Sequence, residues 1–314
     1  MSLKRLLGLI FYRFVQAWGW LFRLTPYFLK NFLASIGAFV WFYLVGFRRR
    51  IVLLNLAAAF PRKPEEASVD FRDRIYSLAR ENFKNYFLGL FEVIEKTTYS
   101  YDTLMSKIVI IGGENVVDAT KDGSGIFLLG AHMGNWETML AMGKRFDRQL
   151  SVIVRYVRNS FWDEVLKQTR IKFPVNLLPE ESSGIQAIKS YKRGGMVVFV
   201  LDQHTGEPHG VLAKFFGLKA WSAKGLAVIA GRLGAKVLPS FSYRKDGKIH
   251  IIIEPPMKFD DLGECREDAQ ILEHVQRCND KIEEYIRKNP AQYFWVHRRF
   301  KAAINYKEDK LPFP

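Results

Sequence analysis

The chain has 314 residues, room for one large α/β domain with an attachment or for two modest domains. Hydrophobic residues make up 48% and aromatic residues 14%, enough for a packed core and too much for a disordered chain. A formal charge of +15 implies an anionic partner, whether nucleic acid, lipid head groups or an acidic carrier protein.

The positive charge begins early. The first acidic residue is Glu65, and Lys4, Arg5, Arg13, Arg23, Lys30, Arg48, Arg49, Arg50, Arg62 and Lys63 all precede it. Between these cations lie two apolar stretches, residues 6–22 and 31–47. Each is close to the lower bound of about 17 to 25 residues that a bilayer-spanning helix needs, and Arg13 interrupts the first. Tyr12, Trp18, Trp20, Tyr27, Trp41 and Tyr43 are the amphipathic rings enriched at a membrane–water boundary. Residues 1–50 therefore read as helical membrane anchors, lying in or dipping into one leaflet, and residues 51–314 as the main α/β domain. Arg48–Arg50 would face the cytosol and anionic phosphates. The alternative is that these helices pack on the main domain as ordinary core.

Residues 64–96 interleave charged and apolar residues at intervals of three and four, which predicts a long helix. Short β-rich runs then alternate with helical ones. Strands are expected at 108–111, 126–131, 151–155, 196–201, 236–243 and 249–255, and helices at 135–147, 160–172, 183–193, 222–233 and 264–288. The alternation predicts an α/β fold with a mixed, mostly parallel central sheet flanked by helices. The last two strands, joined through Arg244-Lys245-Asp246-Gly247, read as a hairpin and supply the antiparallel pair. Cys265 and Cys278 have no spacing that suggests a disulfide framework or a zinc knuckle.

The stretch GAHMGNWETM at 130–139 carries the first candidate chemistry. His132 follows an apolar strand at its carboxyl end, where ligands collect in an α/β sheet. Gly134 permits a tight turn, Asn135 is a good N-cap, and Trp136 would open the helix, so that Glu137 in the first turn can reach back to His132. A carboxylate on imidazole Nδ1 fixes the tautomer and leaves Nε2 free to take a proton from a hydroxyl. The pair can then activate an alcohol; equally, a histidine and a glutamate at this spacing can simply close a strand. A G-x-S-x-G elbow is absent, which argues for direct transfer to the alcohol without a covalent intermediate.

A second polar cluster, DQHTGEPHG at 202–210, also follows a strand. Asp202, His204 and His209 could be pictured on a metal, yet such a turn is more often a loop that satisfies its own hydrogen bonds, and no metal is expected. Arg155, Arg158 and Arg170 flank the next strand and helix, and guanidinium groups suit phosphate or a developing oxyanion as well as plain solvent. No P-loop or GxGxxG occurs, and the basic residues sit with apolar helices, which disfavours nucleotide chemistry and nucleic acid.

Four blocks in this order resemble the lipid A biosynthesis late acyltransferases, within the wider lysophospholipid acyltransferase group. They are RRRIVLLNLAAAFP at 48–61, AHMGNWE at 131–137, LDQHTGEPHGVLAKFFG at 201–217 and FWVHRRFK at 294–301. The resemblance implies an enzyme of the bacterial inner membrane, its catalytic domain facing the cytoplasm. It would move a fatty acyl chain from acyl carrier protein or coenzyme A onto a hydroxyl of a glycolipid, with no cofactor. It implies that His132 deprotonates the acceptor and Glu137 orients and charge-balances it. Gly134, Asn135, Trp136 and an arginine such as Arg170 would hold substrate or oxyanion, with Asp202 and Gln203 in support. The Gly-Asn-Trp variant of the box does not fix the acceptor. A lysophospholipid or another glycolipid, such as a mannolipid, is an alternative, as is an idle membrane-bound lipid or carrier binder.

Overall fold

The computed structural model describes residues 3–154, 160–173, 175–180, 183–257 and 268–313, and among these described residues are nine strands and eleven α-helices. Four helices come first: α1 (Leu3–Leu24), α2 (Tyr27–Val40), α3 (Arg49–Ala59) and α4 (Ser68–Lys96). A π-helical turn, Trp41–Val45, extends α2 before the chain turns at Gly46.

The sheet strands are β1 (Ile108–Ile111), β2 (Ile126–Gly130), β3 (Leu150–Val154), β4 (Val175–Pro179), β5 (Met196–Val200), β8 (Val237–Lys245) and β9 (Lys248–Ile253), in the order β1-β9-β8-β2-β5-β3-β4. Every neighbouring pair is parallel except β8–β9. The fold is the mixed, mostly parallel α/β sheet that the alternation predicts. β2 and β5 are buried along almost their whole length, as strands covered on both faces must be. The β8–β9 hairpin turns at Asp246 and Gly247, both at positive φ, as the expected Asp-Gly turn requires.

The connecting helices are α5 (Tyr101–Met105), α6 (Glu114–Ala119), α7 (Met142–Arg145), α8 (Ser160–Ile171), α9 (Ser183–Lys192), α10 (Gly225–Leu233) and α11 (Asp268–Lys288). Two expectations are corrected. The helix expected at 135–147 is a 3-10 segment, Trp136–Ala141, followed by a single α turn. The helix expected at 222–233 begins only at Gly225, because residues 210–223 form a separate hairpin, β6 (Gly210–Phe215) and β7 (Leu218–Ala223). Of the helix expected at 264–288, residues 264–267 lie outside the described residues.

The N-terminal helices are two-faced. Ala34 and Ala38 of α2 are buried, and a Cβ on Gly37 would meet the Phe87 ring of α4 at 2.9 Å. Lys30 pairs with Glu95 of α4 at 2.5 Å. The opposite stripes, with Leu7, Ile10, Phe14, Trp18 and Leu21 on α1 and Phe28, Phe32, Ile36 and Phe39 on α2, are exposed. Each runs at intervals of three and four, which is one continuous side of a helix. One face of this segment packs as core, and the other presents a broad apolar surface.

Candidate active site

β2 and β5 are paired in parallel with Gly130 opposite Val200. His132 and Asp202 each lie two residues beyond that pair, so the register brings them level at the carboxyl edge of the sheet. His132 Nδ1 is 2.8 Å from Asp202 Oδ1. Asp202 is 1% exposed, whereas the imidazole keeps 23% of its side-chain surface open. A dry carboxylate behind a reachable ring fixes the proton on Nδ1 and leaves Nε2 as the proton acceptor.

The ring is walled by aromatics. Trp136 meets it edge-on with centroids 5.1 Å apart, and Phe294 lies at 5.9 Å. The Gln203 amide nitrogen is 3.4 Å from Nε2 and 3.5 Å from Nδ1, a contact too long to be a strong hydrogen bond. Burial lowers the pKa of His132, but the charge and hydrogen bond of Asp202, with Glu137 adding at longer range, raise it by more. The imidazole therefore titrates above its ordinary value of 6.5. Burial raises the pKa of Asp202, and the facing imidazolium lowers it by more, so this carboxyl stays ionised.

Glu137 is placed differently from expectation. The carboxylate on the imidazole is Asp202; that of Glu137 accepts from Arg170 Nη2 at 2.5 Å and Nε at 3.3 Å and lies 3.7 Å from Lys96 Nζ. The cause is electrostatic. Two fixed cations hold a carboxylate more strongly than a neutral ring does. Lys96, at the end of α4, is 2% exposed; burial lowers its pKa and Glu137 partly restores it. Replacing Glu137 with glutamine leaves that lysine and Arg170 facing each other with only Glu92, itself held by Arg244, as a remaining counter-charge. Chemical denaturation is expected to show a loss of about 3 kcal/mol, the lower end for a broken buried pair because Arg170 is still partly open to water.

Asn135 and Gly134 shape the loop. Asn135 makes no N-cap hydrogen bond; its amide donates to Glu92 Oε2 at 2.8 Å. Glu92 in turn takes Arg244 Nε at 2.5 Å and Nη2 at 2.8 Å, tying the loop to α4 and β8. Gly134 has φ +58°, and a Cβ there would come within 2.4 Å of the Ser242 carbonyl oxygen, so only glycine fits. The N–H groups of Asn135 and Trp136 stand ahead of the first 3-10 turn, where no intrahelical carbonyl can reach them.

The C-terminal block closes the site. Phe294 donates its N–H to the His132 carbonyl at 3.0 Å, and Tyr293 Oη donates to the Asp202 carbonyl at 3.2 Å. His297 Nε2 accepts from the His204 N–H at 3.0 Å, and burial, the largest influence, holds His297 neutral with its pKa down to about 4. Asn55 of α3 anchors this block, donating to the carbonyls of Trp295 at 2.7 Å and His297 at 2.8 Å.

The structure thus gathers His132, Trp136, Asp202 and Gln203. It sets Glu137 and Arg170 together beside them and gives Gly134 and Asn135 to the loop. Arg155 and Arg158 lie outside the described residues. Sequence reasoning missed Lys96, Phe294, His297 and the Glu92–Arg244 pair. The FWVHRRF block was a usable signal for Phe294 and His297; a lone lysine ending a helix offers none.

A histidine held by a buried aspartate at a strand edge, with Nε2 left free, is able to take a proton from a hydroxyl. The chain belongs to the bacterial lipid A biosynthesis acyltransferase family, whose model matches residues 3–302, and is an acyltransferase. It is similar to the lipid A biosynthesis palmitoleoyltransferase of Escherichia coli (strain K12), 26% identical over 298 residues that take in 90% of this chain and 88% of the relative. The lauroyltransferase of the same organism is 26% identical over 261 residues, 81% of this chain and 79% of the relative. Its myristoyltransferase is 23% identical over 280 residues, 88% and 82% of the two chains.

Proposed function

We propose that the protein transfers a fatty acyl group from a thioester donor, carried by acyl carrier protein or coenzyme A, to a hydroxyl of a lipid A precursor. The observation that carries this reading is the His132–Asp202 pair at the edge of β2 and β5, open on the imidazole and closed on the carboxylate. His132 Nε2 takes the proton of the acceptor hydroxyl as its oxygen attacks the thioester carbonyl carbon. The charge that appears on the carbonyl oxygen is met by the N–H groups of Asn135 and Trp136. Collapse breaks the carbon–sulfur bond, and the proton on Nε2 passes to the departing thiolate. Asp202 holds the ring and balances the imidazolium. Glu137, fixed by Arg170 and Lys96, keeps the loop in place and adds a second negative charge near it.

The test is acyl transfer in detergent micelles from a labelled acyl thioester to a lipid A precursor. Labelled glycolipid is the expected product; free acid alone, or no product with either carrier, would end the reading.

Residues 1–50 anchor the enzyme at the inner membrane with the catalytic domain on the cytoplasmic side. In support, among the described residues one helix, Tyr27–Val45, is long and apolar enough to cross a membrane, and α1 carries an exposed apolar stripe of its own. Phe28→Glu with Phe32→Glu is expected to lower vesicle-bound protein in a flotation assay by at least about tenfold, since each charge must leave the hydrocarbon boundary at a cost of roughly 2–3 kcal/mol. Unchanged flotation would rule out this face as the anchor.

A further inference from the structure

Arg298 and residues 301–307, at the C-terminal side of the site, wall an open hollow of about 520 Å³. Three cations stand on it, Arg298, Lys301 and Lys307, all exposed. Among the described residues, none of the three has a carboxylate at salt-bridge distance. The two acids close by are already engaged: Asn305 Nδ2 donates to Glu308 at 2.6 Å, and the Asn305 N–H donates to Asp309 at 2.8 Å. The floor is rigid. Tyr306 is buried, its hydroxyl donates to Asn55 Oδ1 at 2.5 Å, and it accepts from the Phe300 N–H at 3.0 Å.

The hollow lies between the two ends of the proposed reaction. On one side Arg50, at the start of α3, donates to the carbonyl of Tyr306 at 3.3 Å and also to that of Asp309. This joins the hollow to the turn that carries the exposed Leu44, Val45 and Phe47 at the end of the apolar helices. On the other side, Asn55, which accepts from the Tyr306 hydroxyl, donates to the His297 carbonyl at 2.8 Å, and the His297 ring accepts from the His204 N–H at 3.0 Å, two residues from Asp202. The hollow thus adjoins both the end of the apolar helices, where acyl chains could lie, and the loop that carries His204 and His297 beside the site.

We infer that the 298–307 hollow is a subsite for a phosphate monoester on the acceptor lipid, with Arg298, Lys301 and Lys307 as its counter-charges. A monoester carries about −1.5 to −2 charges near neutral pH, which suits three unpaired cations better than a single carboxylate does. The Arg298 guanidinium adds a fork that matches two phosphate oxygens. This assignment rests on the reading of the acceptor as a lipid A precursor.

The experiment uses the full chain with Arg298→Gln, Lys301→Gln and Lys307→Gln combined, and Lys301→Gln alone as the milder variant. Kinetics are measured with a lipid A precursor and with the same lipid stripped of its phosphates. The wild type is expected to prefer the phosphorylated acceptor in KM, and the triple variant to lose roughly tenfold of that preference, as removal of charge-assisted hydrogen bonds does, with Lys301→Gln intermediate. A preference that survives the triple substitution overturns the subsite.

Flotation of the full chain carrying Phe28→Glu and Phe32→Glu, which weaken the general apolar anchor, with neutral phosphatidylcholine vesicles containing the phosphorylated acceptor, its dephosphorylated form or phosphatidylglycerol reads binding without turnover. Retention specific to the phosphorylated acceptor, lost in the triple variant, supports the subsite. Equal loss on phosphatidylglycerol vesicles overturns it in favour of a general anionic membrane contact. Specific retention in that background, with a wild type that acylates no glycolipid, would sink the proposed reaction and leave the subsite standing.

Discussion

Replacing His132 with alanine is expected to lower kcat for acyl transfer by roughly 10²–10⁴-fold, the range a positioned general base contributes. Among the described residues, no other group in contact with the ring can take its place. Within reach of the ring are Trp136 and Phe294, which have no base, the Gln203 amide, which is not basic, and Asp202, which is buried behind it. The loss should fall on kcat far more than on acceptor KM, because the ring acts on a proton that moves only in the transition state. Single-turnover measurements with a labelled thioester check this. A variant that retains more than a tenth of wild-type kcat would show that the hydroxyl is deprotonated elsewhere.

Replacing Asp202 with asparagine is expected to lower kcat by roughly 10³–10⁴-fold, comparable to the loss of the orienting carboxylate in a serine protease triad, a known case of the same logic. The side chain keeps its shape but loses its charge. Its amide can donate to Nδ1, which stabilises the tautomer with the proton on Nε2, the wrong nitrogen for a base. The imidazolium formed during reaction would also lack its balancing charge inside a partly dry site. Glu137→Gln should cost much less in kcat, because Glu137 is held by Arg170 and Lys96 and does not touch the ring. Equal losses in the two variants would return Glu137 to the orienting role that sequence spacing gives it.

That contrast shows where the sequence is legible and where it stops. The apolar runs of β2, β5 and β8 are readable because strands buried on both faces leave no alternation to confuse them. The Asp246-Gly247 hairpin is readable from its turn chemistry. The β6–β7 hairpin escapes notice because Phe216, a bulky residue that rarely takes positive φ, sits there at +52° beside Gly217. β4, Val-Asn-Leu-Leu-Pro at a sheet edge and mostly half-open, has Asn176 and Pro179 breaking the continuous apolar run that marks the other strands.

At the site, His132 is visible from its position after a strand. Its true carboxylate partner is 70 residues away and becomes a neighbour only because β5 pairs with β2, an order that no local pattern encodes. Glu137 is near in sequence, and nearness misleads, since Lys96 and Arg170, from α4 and α8, compete for it.

The most direct test is the pH dependence of kcat/KM for acyl transfer in wild type and Asp202→Asn. A general base must be neutral, so activity falls as the pH drops through the imidazole pKa. Asp202 holds that pKa above its ordinary 6.5, and its removal leaves burial, which lowers it. The account predicts a wild-type acid limb above pH 6.5 that moves to lower pH in Asp202→Asn, together with the loss in rate. Superimposable acid limbs, or a limb that moves with Glu137→Gln and not with Asp202→Asn, would contradict it.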